Sequence, residues 1–354
     1  MADFADVRLH VVTGKGGTGK TTVAAALALA LASGGRKVLL TEVEGRQGIA
    51  QLFDTPPLPY EERKVAVAPG GGDVFALAID PEQALLDYLH MFYKLAPTGI
   101  PARTLRRMGA IDFATTIAPG LRDVLLTGKV KEAAVRREQG RKGAPGRHTY
   151  DAVVLDGPPT GRIARFLNIS HEVGGLAKVG PIKTQSDSVM ATFRSDATAV
   201  HLVTLLEEMP VQETIDGVAE LQSVGLPVGG VVVNNVRTPA LPPDELAAAR
   251  EGRLDAGRVA GALKKAGLET SPDVVEALLT EVAEHAERVE LEERGRDALA
   301  HLARPTYELP RMTDAVALDS LYEMAEMLHQ QGMATPPDVA RSAHGAAGTP
   351  KAGS

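Results

Sequence analysis

The residues best suited to chemistry lie in one glycine-rich loop, which reads Gly-Lys-Gly-Gly-Thr-Gly-Lys-Thr-Thr. Its spacing fits the phosphate-loop pattern G-x-x-x-x-G-K-[ST]. In such a loop the backbone N–H groups surround phosphate oxygens, the lysine adds a charge at the β- and γ-phosphates, and the hydroxyl binds Mg²⁺. We therefore predict that the loop binds a nucleotide with Mg²⁺. The residues expected to form it are Gly14, Lys15, Gly16, Gly17, Thr18, Gly19, Lys20, Thr21 and Thr22.

The segments around the loop have the character that an anion site needs. The apolar run Val7–Val12 leads into it, and the Ala/Leu-rich run Val23–Ala32 leaves it with no helix breaker. This order predicts a strand, the loop, and then the N-terminus of a buried helix. Asp156 ends a later apolar run, so it is a candidate for holding a Mg²⁺-bound water together with Thr21.

Composition limits the classes of protein that the chain can belong to. It has 354 residues, a net charge of −7 and no cysteine. The acidic charge argues against a broad nucleic-acid-binding face, so no nucleic acid is expected as a partner. Without cysteine there is no disulfide, no thiolate zinc site and no capture of arsenite by thiols, so no zinc is expected. We find no signal peptide or membrane span, and we expect a soluble, cytoplasmic protein.

Apolar β-branched runs alternate with helical patterns along the chain, which favours an α/β fold with a parallel sheet covered on both faces. Residues 1–331 are expected to form one domain, with a helical insertion at about 81–148, a mobile helical segment at about 165–197 and a disordered tail at 332–354. The predicted strands are Val7–Val12, Lys37–Val43, Val74–Ile79, Ala152–Leu155, Ala199–Thr204, Val228–Val233 and Thr306–Leu309. The predicted helices within the insertion are Glu82–Leu95, Pro101–Phe113 and Leu121–Arg137, and further helices are expected from Pro242 to Ala303.

The second lysine of the loop, Lys15, narrows the class. The sequence G-K-G-G-x-G-K-[ST] resembles the deviant P-loop of the superfamily of nitrogenase-iron-protein-like and partition-ATPase-like P-loop NTPases. The resemblance implies that Lys15 reaches the nucleotide of a partner subunit, as an arginine finger does elsewhere. The alternative is that Lys15 only strengthens phosphate binding within its own subunit.

Three further segments make the resemblance more specific. The switch Asp-Gly-Pro-Pro-Thr-Gly at Asp156–Gly161, the triplet Pro119–Leu121 and the segment Thr204–Thr214 resemble the anion-transporting ATPase family. That family includes the arsenite-pump ATPase and the ATPase that delivers tail-anchored membrane proteins. The resemblance implies an ATP hydrolase in which Asn234 reads adenine and the loop at Pro310 closes over the base.

The chain departs from the family at its first switch, where the usual aspartate is replaced by Glu44. The carboxylate is kept but moved outward by one methylene, and phosphoryl transfer depends on positioning. We therefore expect slow hydrolysis, or the use of Glu42 or Glu44 in an altered geometry. The candidate catalytic residues are Lys15, Lys20 and Glu44. Arg46 and Arg162 are candidates for contacting phosphate or a partner carboxylate, or are solvent-facing charges.

Three functions remain open. The first is a dimeric ATPase, pairing like chains or a related ATPase subunit, that opens and closes to handle a hydrophobic client or a membrane protein. A set of apolar residues could line its client groove, and the alternative is that they form ordinary hydrophobic core. They are Leu85, Leu86, Leu89, Met91, Phe92, Leu95, Ile111, Phe113, Ile117, Leu121, Leu125 and Leu126. The second is the catalytic subunit of an efflux system for an anion other than arsenite. The third is a partition or positioning ATPase, which the acidic charge disfavours.

Overall fold

A computed structural model of the chain describes residues 4–93, 119–139, 146–168, 181–312 and 317–334. Its centre is an eight-stranded sheet with the strand order β3-β4-β2-β5-β1-β6-β7-β8. Every neighbouring pair is parallel except β3 and β4. The strands are β1 Leu9–Gly14, β2 Lys37–Glu42, β3 Arg63–Val67, β4 Asp73–Ala78, β5 Ala152–Asp156, β6 Thr198–Thr204, β7 Val228–Val236 and β8 Thr306–Pro310.

Helices cover both faces of the sheet, and a large apolar cluster lies beneath each layer. The helices are α1 Lys20–Ala32, α2 Gly48–Leu52, α3 Pro81–Tyr93, α4 Pro119–Val135, α5 Thr160–Leu167, α6 Pro181–Phe193, α7 Glu208–Ser223, α8 Pro243–Arg250, α9 Ala256–Lys265, α10 Pro272–Ala300 and α11 Leu318–Gln330. Helix α1 is buried on all sides from Val23 to Ala32, because it is enclosed by the sheet and by α11. An apolar helix without an amphipathic pattern is what such a position requires.

All seven predicted strands are present, so the α/β prediction of a parallel sheet is confirmed. The sequence analysis missed β3, which pairs antiparallel with β4 at the edge of the sheet. Its side chains are exposed or half-buried, and Val67 is 48% exposed. A short, charged edge strand depends on its neighbour for pairing and has little apolar pattern of its own.

The predicted helices of the insertion have a mixed outcome. Those at 82–95 and 121–137 correspond to α3 and α4, whereas 101–113 lies outside the described residues. Within the segment predicted to be mobile, α6 places Val189, Met190 and Phe193 in the core. The helices predicted after Pro242 are α8, α9 and α10.

The apolar residues proposed for a client groove are core wherever the structure describes their side chains. Leu85, Leu125 and Leu126 are buried in the cluster on one face of the sheet, and Leu86 packs against it. The remaining members of that set lie outside the described side chains. Within the described ranges, every helix is too short or too polar to cross a membrane.

The carboxyl end of the described chain closes the β8 edge of the sheet. The Gln331 Oε1 accepts a hydrogen bond from the backbone N–H of Glu308 at 2.8 Å, and its Nε2 donates to the backbone oxygen of Glu308 at 2.9 Å. Met333 and Ala334 are buried just beyond it. The packed part of the chain therefore extends past the predicted domain limit of residue 331, and the rest of the predicted tail lies outside the described residues.

Two buried histidines stack between β1 and β6. The rings of His10 and His201 are nearly parallel, with centroids 5.3 Å apart, and both side chains are fully buried. The His201 Nδ1 accepts from the backbone N–H of Gly230 at 3.1 Å, so the proton of that ring lies on Nε2, which is 3.1 Å from the Nδ1 of His10. Burial lowers the pKa of His201 to about 3. Burial, with a smaller contribution from His201, also lowers the pKa of His10.

This pair is expected to make the protein less stable as the pH falls below the ordinary histidine pKa of about 6.5. The unfolded chain then takes up protons that the folded chain does not, which lowers the free energy of unfolding by about 1.4 kcal/mol per histidine between pH 7.5 and pH 5.5. Urea unfolding at the two pH values measures the loss, and His201→Asn should reduce it, whereas His301→Asn, at an exposed position, should not. Ring resonances of His10 and His201 that titrate near pH 6.5 in the folded protein would contradict the expectation.

Candidate nucleotide site

The register of the sheet brings the predicted site residues to one edge. Val12 of β1 and Glu42 of β2 both lie opposite Asp156 of β5, so β1, β2 and β5 end side by side. The glycine-rich loop leaves β1 at Gly14 and enters α1 at Lys20. Because parallel strands end at the same edge, the loop and the carboxylates of Glu42 and Asp156 share one site.

The loop is wound tightly around the backbone oxygen of Lys15. This oxygen accepts from the Thr18 hydroxyl at 2.9 Å and from the Lys20 ammonium at 3.3 Å. A Cβ atom at Gly14 would lie 2.2 Å from the backbone oxygen of Val203, so only glycine allows the loop to pass β6. Gly19 has a φ of 86°, in the left-handed region that favours glycine.

The outer part of the loop is formed by Gly16 and Gly17. Gly17 also has a left-handed φ of 89°. A side chain at Gly16 would meet open space, so this part of the loop faces outward. Thr22 is half-buried in the first turn of α1. The loop is thus held by hydrogen bonds on its inner side and open on its outer side.

Thr21 and Asp156 have the oxygen atoms that a Mg²⁺ ion requires. The Thr21 hydroxyl donates to the Oδ2 of Asp156 at 2.7 Å, while the buried Oδ1 has no hydrogen-bond partner among the described residues. Mg²⁺ in phosphate-loop proteins uses one or two such oxygens and completes its shell with water and phosphate. The two residues therefore fit the ion.

Burial disfavours the ionised form of the Asp156 carboxyl. Burial raises the pKa of its carboxyl to about 6, against the hydrogen bond from Thr21 and the charge of Lys20, which both lower it. Burial likewise lowers the pKa of Lys20, while Asp156 and Glu44 oppose the change. A bound divalent ion would favour the ionised carboxylate, because it replaces the solvation that burial removes.

The two glutamates at the first switch have different surroundings. Glu42 is buried, and its carboxylate accepts from the backbone N–H groups of Gln47, at 2.8 Å, and Ile49, at 3.4 Å. It therefore caps the start of α2, with one backbone N–H group on each carboxylate oxygen. The side chain of Glu44 is 22% exposed and lies between Arg46 and Arg162, at 3.5 and 3.6 Å.

Those two arginines connect the switches within one chain. Arg46 follows β2 and Arg162 lies in the first turn of α5, and both side chains are more than half exposed. Both arginines are thus largely solvent-facing, as one of the two interpretations of the sequence has it, and in this structure both pair with the chain's own Glu44. The ion pairs leave the guanidinium groups accessible to a further anion.

Lys15, the second lysine of the loop, forms an ion pair with a carboxylate of α7. The Lys15 ammonium lies 2.9 Å from the Oε1 of Glu213 in α7. The Oε2 of Glu213 lies 3.4 Å from the hydroxyl of Thr160, the first residue of α5. In this structure Lys15 is therefore bound in its own chain, at the start of the second switch helix.

A cavity of about 420 Å³ lies next to the loop. Asn234 lines it, and the Nδ2 of Asn234 donates to the backbone oxygen of Thr18 at 2.9 Å. Asn234 thus braces the loop and also faces the cavity. Pro310 ends β8 opposite Val236, and the next two residues, Arg311 and Met312, line the cavity.

Sequence reasoning missed two roles in this site. The pairing of Glu213 with Lys15 has no local signal in the sequence, because the two residues are about 200 positions apart. The capping role of Glu42 was also missed, although Gln47 follows it by five positions in a loop containing Gly45, where a backbone N–H group could turn back.

Comparison with known proteins agrees with the geometry. Residues 7–194 match a family described as anion-transporting ATPase. The chain is 55% identical to ATPase BagA of Mycobacterium tuberculosis over 330 residues, which are 93% of this chain and 95% of that protein. It is 27% identical to ATPase GET3 of Kluyveromyces lactis over 256 residues, 64% of this chain and 71% of that one. It is also 27% identical to the arsenical pump-driving ATPase of Acidiphilium multivorum over 240 residues, 63% of this chain and 38% of that one.

Proposed function

Because the chain belongs to the anion-transporting ATPase family and is an ATPase that uses ATP with Mg²⁺, we propose that it works as a nucleotide-driven dimer that handles a hydrophobic client or a membrane-associated partner. The dimer pairs like chains or a related ATPase subunit. The observation that carries the proposal is the position of Lys15. Its ammonium pairs with Glu213 of α7, whereas Lys20 donates to the backbone of the loop and Thr21 donates to Asp156.

Each residue at the phosphate position has a role in hydrolysis under this proposal. The loop N–H groups and Lys20 bind the β- and γ-phosphates, and Thr21 and Asp156 hold Mg²⁺, which supplies positive charge to the phosphate oxygens. Glu44 orients the attacking water, because Glu42 is committed to capping α2. Asn234 and the residues after Pro310 hold the base.

Lys15 completes the site of the neighbouring subunit. A second lysine on the open side of the loop adds charge where the transition state needs it, and it does so only when two subunits close on each other. Closure is therefore linked to the presence of the γ-phosphate, and hydrolysis reverses it. This linkage lets nucleotide turnover drive the binding and release of a client.

Mixing two inactive variants tests whether Lys15 acts in the partner. Lys15→Ala removes the donated charge, and Asp156→Ala removes the metal ligand, so each variant alone should hydrolyse ATP slowly. If Lys15 acts across the interface, a mixed dimer contains one intact site, and an equal mixture should recover about a quarter of the wild-type turnover. ATPase activity is measured for each variant and for the mixture.

The outcome that contradicts the proposal is a mixture no more active than its parts, since action within one subunit leaves no intact site in any combination. Lys265→Ala, at an exposed position of α9, serves as the matched control and should keep wild-type turnover alone.

A further inference from the structure

Helix α7, which carries Glu213, packs against the core along one face. Val211, Thr214 and Val218 are buried along one face of the helix. The Thr214 hydroxyl donates to the backbone oxygen of Pro210 at 2.8 Å. Since Glu213 precedes Thr214, its side chain lies beside this buried face and is only 37% exposed.

The contact between α7 and α5 is close because of a glycine one turn beyond Glu213. A Cβ atom at Gly217 would lie 3.3 Å from the Cγ2 of Thr160 and 3.2 Å from the Cδ2 of Leu202. Glu213 and Gly217 are four residues apart and so share a face of the helix. The same face therefore brings the backbone of α7 and the carboxylate of Glu213 to the first residue of α5.

One carboxylate thus joins the phosphate loop to the second switch. Its Oε1 binds the ammonium of Lys15 and its Oε2 accepts from Thr160. The loop preceding α5 is tied to the same region, because the Thr13 hydroxyl donates to the backbone oxygen of Pro158 at 2.7 Å. A movement of α5 on nucleotide binding would change the surroundings of Glu213 directly.

Only the side chain of Lys15 is free to change position. Its backbone oxygen is fixed by Thr18 and Lys20, so the ammonium can exchange Glu213 for another anionic group without any movement of the loop backbone. A half-exposed ion pair of this kind favours binding of the ammonium to Glu213 by a few-fold. This preference is enough to delay closure of the dimer without preventing it.

We propose that Glu213 is a positioning residue that holds Lys15 in its own subunit before nucleotide-driven closure and releases it when Thr160 moves. This inference rests on the proposed function, in which Lys15 acts in the partner subunit. It adds a step to ATP-dependent closure: the ammonium of Lys15 must leave Glu213 before it binds the phosphates in the partner subunit. Glu213 touches no reacting atom, so it acts through Lys15.

Glu213→Gln keeps the shape of the side chain and removes its charge. In the nucleotide-free protein we expect the acylation of Lys15 by an amine-reactive ester, measured by mass spectrometry, to become about threefold faster, in line with the loss of a half-exposed ion pair. The protein concentration giving half-maximal ATPase activity should fall by a similar factor. Glu220→Gln, at an exposed position of the same helix, is the matched control and should change neither quantity.

The outcomes separate this inference from the proposed function. If the acylation rate of Lys15 is unchanged, or if it rises while the concentration dependence of ATPase activity stays the same, Glu213 does not gate Lys15 and the inference is wrong. If acylation becomes faster but the mixed-subunit experiment shows no recovery, the proposed function fails and the gating role fails with it. Should Glu213→Gln fold poorly, Glu213→Asp shortens the side chain by one methylene and is expected to act in the same direction.

Discussion

Lys20→Ala is expected to weaken the binding of ATP with Mg²⁺ by about thirtyfold or more, since losing one partner of a desolvated charge pair costs about 2–5 kcal/mol. The ammonium of Lys20 lies half-buried near two carboxylates, those of Asp156 and Glu44. Without this ammonium, the phosphates would lie next to these carboxylates without the lysine that offsets their negative charge. Calorimetric titration of the nucleotide measures the loss.

Lys15→Ala is the natural contrast, because Lys15 pairs with Glu213 and lies outside this group of carboxylates. It should leave the affinity for ATP nearly unchanged while lowering turnover. Thermal unfolding of both variants separates a lost contact from a lost fold. An unchanged affinity in Lys20→Ala would refute the assignment of the phosphate loop.

Glu44→Gln is expected to lower kcat by about a hundredfold or more while KM changes little, as for a group that acts mainly in the transition state. The change keeps the size of the side chain but removes the carboxylate that would orient water. Arg46 and Arg162 hold that carboxylate from two sides, so its position is set by both switches. Single-turnover kinetics with ATP separates the loss in chemistry from any loss in binding.

Glu42→Gln is the informative comparison, because its expected effect is on stability. The carboxylate of Glu42 accepts two backbone N–H groups, and charged capping interactions of this kind contribute about 1–3 kcal/mol. Normal hydrolysis by Glu44→Gln together with inactive but folded Glu42→Gln would move the role to Glu42.

The slow Glu44→Gln variant loaded with ATP also tests whether the protein handles a hydrophobic client. An apolar peptide should bind to this ATP form more tightly than to the ADP form.

The parts of the site that follow from local pattern could be predicted from the sequence. A strand, a glycine loop and a helix fix the positions of Gly14, Lys20 and Thr21, and the end of an apolar strand fixes Asp156. These predictions depend only on the rule that parallel strands end at one edge. The strands themselves were identifiable because buried β-branched runs are nearly continuous.

The contacts that could not be predicted join distant parts of the chain. Neither the pairing of Lys15 with Glu213 nor that of Arg162 with Glu44 leaves a trace in local spacing, because each depends on how two helices are packed. Strand β3 was missed for a related reason, since its pairing with β4 supplies most of what makes it a strand. Apolar spacing alone also could not tell a client groove from core, and Leu85, Leu125 and Leu126 are core.

The two edges of the sheet have a consequence for how copies of the protein can associate. At one edge the amide of Gln331 occupies the backbone groups of Glu308 that another strand would need. At the other edge, β3 is short and begins with Arg63 and Lys64, whose charges disfavour pairing with another strand. Both edges therefore disfavour strand addition, and association of copies through a face that carries loops and helices is favoured over sheet extension.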